Sequence, residues 1–164
     1  MKKHVLFLVA GLALAACDSA EKAPPPSAPQ AEIPAEAVDY FSHMNVLETG
    51  GSKGQIILQS GETVWFGNIR QMLSYLRLPE TANQPMQAYA SLSRTDGGQG
   101  DGNWQWTPVE NLYFVQSDKA PELIGKDDYF TFADEQAART FAETHAGKVL
   151  RLADISDSDL GIAQ

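Results

Sequence analysis

A chain of 164 residues with 21 Asp+Glu, 12 Lys+Arg and a formal net charge of −9 is too acidic to favour nucleic acid or anionic lipid headgroups. Its single cysteine excludes internal disulfides, Fe–S clusters and four-cysteine zinc sites.

Met1-Lys2-Lys3 is a basic start, and the unbroken apolar run that follows, residues 5–16, is too short to span a bilayer. It reads as a signal peptide. Leu14-Ala15-Ala16-Cys17 then has the form of a lipobox, in which Cys17 takes a diacylglycerol and becomes the new N-terminus. Two or three acyl chains on one residue hold a protein at a membrane where a single chain does not. Once acylated, Cys17 leaves no thiol for nucleophilic catalysis. Asp18 behind it resembles the sorting residue of enterobacterial lipoproteins kept in the inner membrane, so the expected location is the periplasmic face of that membrane.

Residues 18–37 hold five of the nine prolines and one large aliphatic residue, Ile33. With Cys17 they are expected to form an extended linker (17–37) that holds the domain off the membrane. A domain over residues 38–153 and an acidic, frayed tail over 154–164 complete the predicted organisation.

At the mouth of the domain, Ser42, His43 and Met44 set a hydroxyl, an imidazole and a thioether side by side. They are either residues entering a first strand or the remains of a soft-metal site. Residues 55–59 and 63–66 are β-prone runs joined by Ser60-Gly61-Glu62, a hairpin signal. Asn68, with Gln71 three residues on, caps a predicted helix whose Ile69, Met72, Leu73 and Leu76 share one face, and Pro79 stops it. Met86, Ala88, Ala90 and Leu92 alternate as on a half-buried strand. Residues 94–103 form a connection whose aspartates and glycines complete no calcium loop.

The second half repeats this grammar. Residues 104–106, 112–115 and 129–132 are strand-like, and Asp134 caps a helix carrying Ala137, Ala138, Phe141 and His145 on one side. Gly147 ends it, and residues 148–152 return as a strand. The fold class is therefore α+β, two related strand-strand-helix-strand (ββαβ) units over about 38–93 and 104–153, packed into a compact domain.

No G-x-S-x-G, H-E-x-x-H or Walker motif occurs. His145, in the last helical turn, reads as a structural residue bonded to terminal carbonyls. Met72 and Met86 lie on predicted buried faces and read as packing. Met44 stands outside any apolar periodicity. Thioether and imidazole both suit Cu(I), which makes Met44 and His43 the candidate ligands.

The order of residues resembles the NosL family: the lipoprotein leader, Ser42-His43-Met44-Asn45-Val46-Leu47-Glu48, Gln55-Ile56, Val64-Trp65-Phe66, Met72 with Tyr75, Leu112-Tyr113-Phe114-Val115-Gln116-Ser117, Phe130-Thr131-Phe132 and His145-Ala146-Gly147-Lys148-Val149-Leu150-Arg151. NosL proteins are similar to the two-unit layout above, which the organomercurial lyases partly share. The lyase chemistry needs thiolates, which the mature chain lacks. What the resemblance implies is a copper carrier and not an enzyme. It would deliver Cu(I) in the periplasm to nitrous oxide reductase or its assembly proteins. The family's metal motif is typically Cys-x-Met. Here Ser42 occupies the cysteine position and Met44 keeps the methionine, while residues 121–125, Pro-Glu-Leu-Ile-Gly, lack the methionine common there. The expected site is thus Met44 with His43, weaker toward Cu(I) than in cysteine-containing relatives. The alternative is a metal-free lipoprotein of the same fold serving as a partner-binding or assembly module.

Overall fold

In the computed structural model, which describes residues 28–94, 103–119 and 128–162, the chain forms seven strands and two α-helices. They are β1 (Gly54–Leu58), β2 (Thr63–Phe66), α1 (Ile69–Tyr75), β3 (Met86–Ser91), β4 (Trp106–Pro108), β5 (Tyr113–Gln116), β6 (Phe130–Phe132), α2 (Glu135–Thr144) and β7 (Lys148–Leu150). The β1-β2 hairpin closes where Gly61 takes a left-handed φ of 86°, which a residue without Cβ adopts at no steric cost. Leu58 N–H then donates to Glu62 O at 2.9 Å, and Ile57 faces Thr63 across the register.

Strand β3 pairs with the other edge of β1, and β4 adds to β3, giving the antiparallel order β2-β1-β3-β4. The second sheet has the order β6-β5-β7. In each sheet the first strand of the unit is central, flanked by its hairpin partner and by the strand that returns from the helix. The α+β class and the doubled ββαβ path are as expected. The predicted boundary between units needs correction, because the segment starting at 104 belongs to the first sheet. Thr107 pairs with Ala90 and Trp106 with Ser91, so the second unit begins at β5.

The helices form as their caps and apolar faces dictate. Asn68 Oδ1 accepts from Gln71 N–H at 2.8 Å, and Asp134 Oδ1 from Ala137 N–H at 2.9 Å. Helix α1 buries Ile69, Met72, Leu73 and Tyr75 in a core shared with Ile56, Phe66, Phe114 and Tyr129, so residues of both units meet in one apolar cluster. Helix α2 covers the second sheet, with Phe130 and Phe132 at 4.6 and 5.2 Å from the Phe141 ring. Just past its C-cap His145, Ala146 carries the left-handed φ of 50°, while Gly147, the last residue before β7, serves a close approach: a Cβ there would lie 2.9 Å from Gln116 O.

Polar ties also cross between units. Thr131 Oγ1 donates to Ser91 O at 2.7 Å, and Ser93 N–H to Thr131 O at 2.8 Å. Asp128 Oδ1 accepts from Ile69 and Arg70 N–H at 2.9 and 3.0 Å, and Oδ2 has no hydrogen-bond partner among the described residues. Burial pushes this carboxyl up to about 6, against the lowering effect of its backbone donors and of Lys53.

Two segments predicted to lie outside the core are part of it. Ile33 and Ala37 are buried against Val46 and Trp65, so residues 28–37 are a strap and not a free spacer. One aliphatic side chain suffices because backbone bonds support it: Gln30 N–H donates to Gln55 Oε1 at 2.9 Å, and Gln55 Nε2 returns a bond to Gln30 O at 3.0 Å. Trp106 Nε1 donates to Ala31 O at 3.1 Å. The tail is docked as far as Ile162, with Ile155 and Leu160 in the main core and Arg77 paired to Asp157 at 3.0 Å. Charge at the exposed tail positions had masked the two apolar anchors. The leader with Cys17 and Asp18, the 95–102 part of the Gly-rich connection and residues 121–125 lie outside the described residues. No helix among the described residues is long and apolar enough to cross a membrane.

Two stability measurements check this arrangement. Ile33→Ala is expected to lower the unfolding free energy by about 2 kcal/mol, since a buried isoleucine is truncated. For Asp128, the folded state keeps its proton up to about pH 6, whereas an unfolded carboxyl releases it near 3.8. Its stabilising contribution is therefore full below about pH 4 and is lost as pH rises through 6. Urea unfolding should show Asp128→Asn gaining stability relative to the parent between pH 4 and pH 7, by up to about 3 kcal/mol.

Candidate functional site

The segment from Val38 to Asn45 reverses direction within a few residues. Val38 and Asn45 form an antiparallel bridge, Asp39 N–H donates to Met44 O at 2.9 Å, and His43 N–H donates to Asp39 O at 2.9 Å. Closing so short a turn requires a left-handed residue, and His43 supplies it with φ 57°.

The turn is organised by the carboxylate of Asp39, which is fully buried. Oδ1 accepts from Phe41 N–H at 3.0 Å, Ser42 N–H at 2.7 Å and Ser42 Oγ at 2.9 Å. Oδ2 accepts from Gly67 N–H at 2.7 Å. The Gln71 side-chain amide, with its nitrogen turned to the carboxylate, donates to Oδ2 at 2.8 Å and Oδ1 at 3.0 Å. A buried carboxylate met by donors from the turn, from the β2-α1 junction and from α1 holds all three together. Tyr40 packs edge-on against Tyr75 at 4.8 Å between ring centroids, seating the turn on α1 from the other side.

Ser42 and Met44, two residues apart, line one small cavity of about 70 Å³ together with Asp39, Thr49, Gly67 and Gln71. His43 opens instead into a separate groove of about 780 Å³. The structure thus brings Ser42 and Met44 to one cavity and His43 to another. The Ser42 hydroxyl is committed, donating to Asp39 and accepting from Met44 N–H at 3.3 Å. Met44 is 48% exposed. Met72 is fully buried and closes on Gly54, where a Cβ would come within 2.5 Å of its Sδ. Met86 packs half-buried against the main core. His145 is the C-cap of α2 through its backbone N–H, which donates to Phe141 O at 3.0 Å, while its ring packs 4.3 Å from Phe141, a packing role in place of the expected ring bonds to terminal carbonyls.

Beneath the cavity lies a residue that periodicity does not reveal. Lys53 is fully buried, and Nζ donates to Thr49 O at 2.6 Å, Thr49 Oγ1 at 2.8 Å and Gly50 O at 3.0 Å, with Gly67 O at 3.3 Å. Burial lowers its pKa to about 8, with Asp128 opposing the shift, so the ammonium form holds the floor at neutral pH. Asp39 was also missed. Its signal was local, an aspartate three residues before a serine at a turn, which is an Asx-type arrangement. Lys53 has no such signature.

Chemically, the cavity presents one soft thioether, one neutral hydroxyl and one carboxylate already saturated with donors. No group of three or more His, Cys, Asp or Glu suited to a metal occurs among the described residues. The arrangement fits a soft ion held by a single protein ligand with coordination sites left open, and it does not fit a closed hard-ion cage.

A family model described as NosL matches residues 30–160. The chain is 26% identical over 163 residues to the copper-binding lipoprotein NosL of Achromobacter cycloclastes, a match covering 96% of this chain and 83% of the relative. Its fold is similar to the crystal structure of the copper chaperone NosL from Shewanella denitrificans, with a TM-score of 0.70, 20% identity, and coverage of 82% of this chain and 99% of that one.

If Asp39 organises the turn, Asp39→Asn should cost about 3 kcal/mol, because an amide presents N–H groups to donors that need an acceptor. Ser42→Ala, which removes one hydroxyl from the same carboxylate, should cost only about 1 kcal/mol. Chemical denaturation of the two variants measures the difference. Equal losses would remove Asp39 from its organising role.

Proposed function

The chain belongs to the NosL family, and from that premise we propose that it is a lipid-anchored copper carrier on the periplasmic face of the inner membrane, supporting the maturation of nitrous oxide reductase. The observation that carries this reading is the exposed Met44, lining a small cavity on a turn locked by Asp39. A thioether binds Cu(I) without losing a proton and retains little affinity for hard ions. Cys17 supplies the anchor and Asp18 the inner-membrane address. The lipoprotein relative from Achromobacter cycloclastes supports the anchoring.

Met44 is the primary ligand in this proposal and His43, its neighbour, the second candidate. The imidazole lines the adjoining groove and not the Met44 cavity, so Met44 is the one ligand the arrangement itself offers and His43 would join it only if the turn rearranged. Remaining sites are filled by ligands of the donor or acceptor protein. Transfer is then ligand exchange at an open ion, with nitrous oxide reductase or one of its assembly proteins as recipient. Ser42 contributes geometry and no charge, since its hydroxyl is used by Asp39. Affinity should accordingly be lower than where the position holds a thiolate.

That same commitment of Ser42 favours a second reading, a metal-free assembly module that keeps the fold. Cu(I) titration of the residue 28–164 protein against a competing chelator separates the two. The carrier should compete, Met44→Ala should lose at least about tenfold in affinity, and Ser42→Cys should gain markedly. His43→Asn, which tolerates the left-handed backbone while removing the imidazole, reports the second ligand. If neither the parent nor Ser42→Cys competes, the metal-free module stands. In cells, deletion of the gene should lower the copper content of nitrous oxide reductase, and Met44→Ala should fail to restore it.

A further inference from the structure

The groove into which His43 opens is larger than any ion requires, and the carrier reading gives it no role. Its walls are apolar, formed by Ala37, Val38, Leu58, Val64 and Trp65. Three acidic residues also line it, Glu36, Glu62 and Asp39, the last with its carboxylate already saturated by donors, and no lysine or arginine does. The field there is negative: the Tyr75 hydroxyl, also on the lining, has its pKa raised first by burial and then by Tyr40, Glu62 and Glu80.

The surface around the groove is just as distinctive. The large hydrophobic residues exposed among those described are Val38, Tyr40, Phe41, Met44 and Leu47, from 39% to 52% exposed and all within one ten-residue stretch. Elsewhere among the described residues the large apolar side chains are buried or partly buried. Val38 and Tyr40 line the groove and the other three follow along the same stretch of chain, so exposed apolar and aromatic side chains accompany an acidic lining, which is the anatomy of a protein-docking face.

We propose that this groove and its rim seat an extended segment of a partner protein that is apolar on one side and carries basic side chains to meet Glu36 and Glu62. The segment lies along residues 34–40 and past the Thr63–Val64 end of β2, beside the point where the chain's own backbone already takes the strand edge: Asp39 bridges Trp65, and Tyr40 N–H donates to Trp65 O at 3.0 Å. Because His43 lines the groove and Met44 follows it in the chain, the docked segment passes the turn that carries the thioether. Only the purpose of that placement rests on the carrier reading; the recognition itself does not.

Short acetylated peptides test it: one alternating leucine with lysine, one alternating leucine with glutamate, and one alternating lysine with serine. The first should bind the residue 28–164 protein, shifting Trp65 fluorescence and the amide resonances of His43 and Val64, and should weaken as salt is raised. The other two should not. Glu36→Gln with Glu62→Gln should weaken the first peptide about tenfold. Val38→Ser, at a position too exposed to threaten folding, should weaken it also. Equal binding of all three peptides, or no effect of the glutamine pair, overturns the proposal. Partition into zwitterionic phosphatidylcholine vesicles without peptide binding overturns it in favour of the bilayer, and concentration-dependent dimers without peptide binding overturn it in favour of a second copy. Running the peptide titration with and without Cu(I) keeps the two readings apart, since loss of copper binding with peptide binding intact defeats only the carrier.

Discussion

One buried carboxylate determines where everything at the candidate site stands. Asp39 draws donors from its own turn, from Gly67 between β2 and α1, and from Gln71 on α1, so a reversal that is short and strained at His43 keeps one conformation. A carboxylate with that many donors has nothing left to offer a cation. It therefore acts as scaffold, and the soft chemistry is left to the neighbouring thioether. Lys53 completes the support from below by gathering the carbonyls of Thr49 and Gly50, with that of Gly67 close by, at the other end of the same junction. Gly67 is the shared element, its N–H serving Asp39 and its carbonyl facing the ammonium.

The two ββαβ units reach a common core by the same logic. Each sheet leaves one face to its own helix, but Phe114 and Tyr129 of the second unit project into the cluster that α1 covers. Asp128 then binds the first amides of α1 directly. The helix that positions Gln71 for Asp39 is thus held at its start by the other unit. The candidate turn depends on the whole domain and not on its own hairpin.

Much of this was legible in the residues. Periodicity and caps placed both helices, and Ser60-Gly61-Glu62 placed the hairpin, because those signals are local. Ser42, His43 and Met44 were legible as a cluster at the mouth of the domain, but the turn, left-handed at His43, puts Ser42 and Met44 on one cavity and His43 on another. What was not legible depends on contacts distant in sequence. Ile33 reads as an isolated aliphatic in a proline-rich stretch until Trp65 and Val46 are placed under it. Trp106 reads as the start of a second unit until β3 offers it an edge. Lys53 looks like any surface lysine until four oxygens converge on it. The separation of His43 from Met44 follows from a backbone sign at residue 43 that composition does not encode.

The strap has a mechanical consequence. For a chain held at a membrane through Cys17, the leash ends at residue 28 and not at 38, and the ten or so residues between reach at most roughly 35 Å. Any pull along that leash is met first by the paired Gln30 and Gln55 bonds, then by Trp106 on Ala31 and the seating of Ile33, before it arrives at Asn45 and the turn beyond. Residues 28–37 are in effect a strain relief, since tension on such a tether would load these ties before the turn that carries Met44.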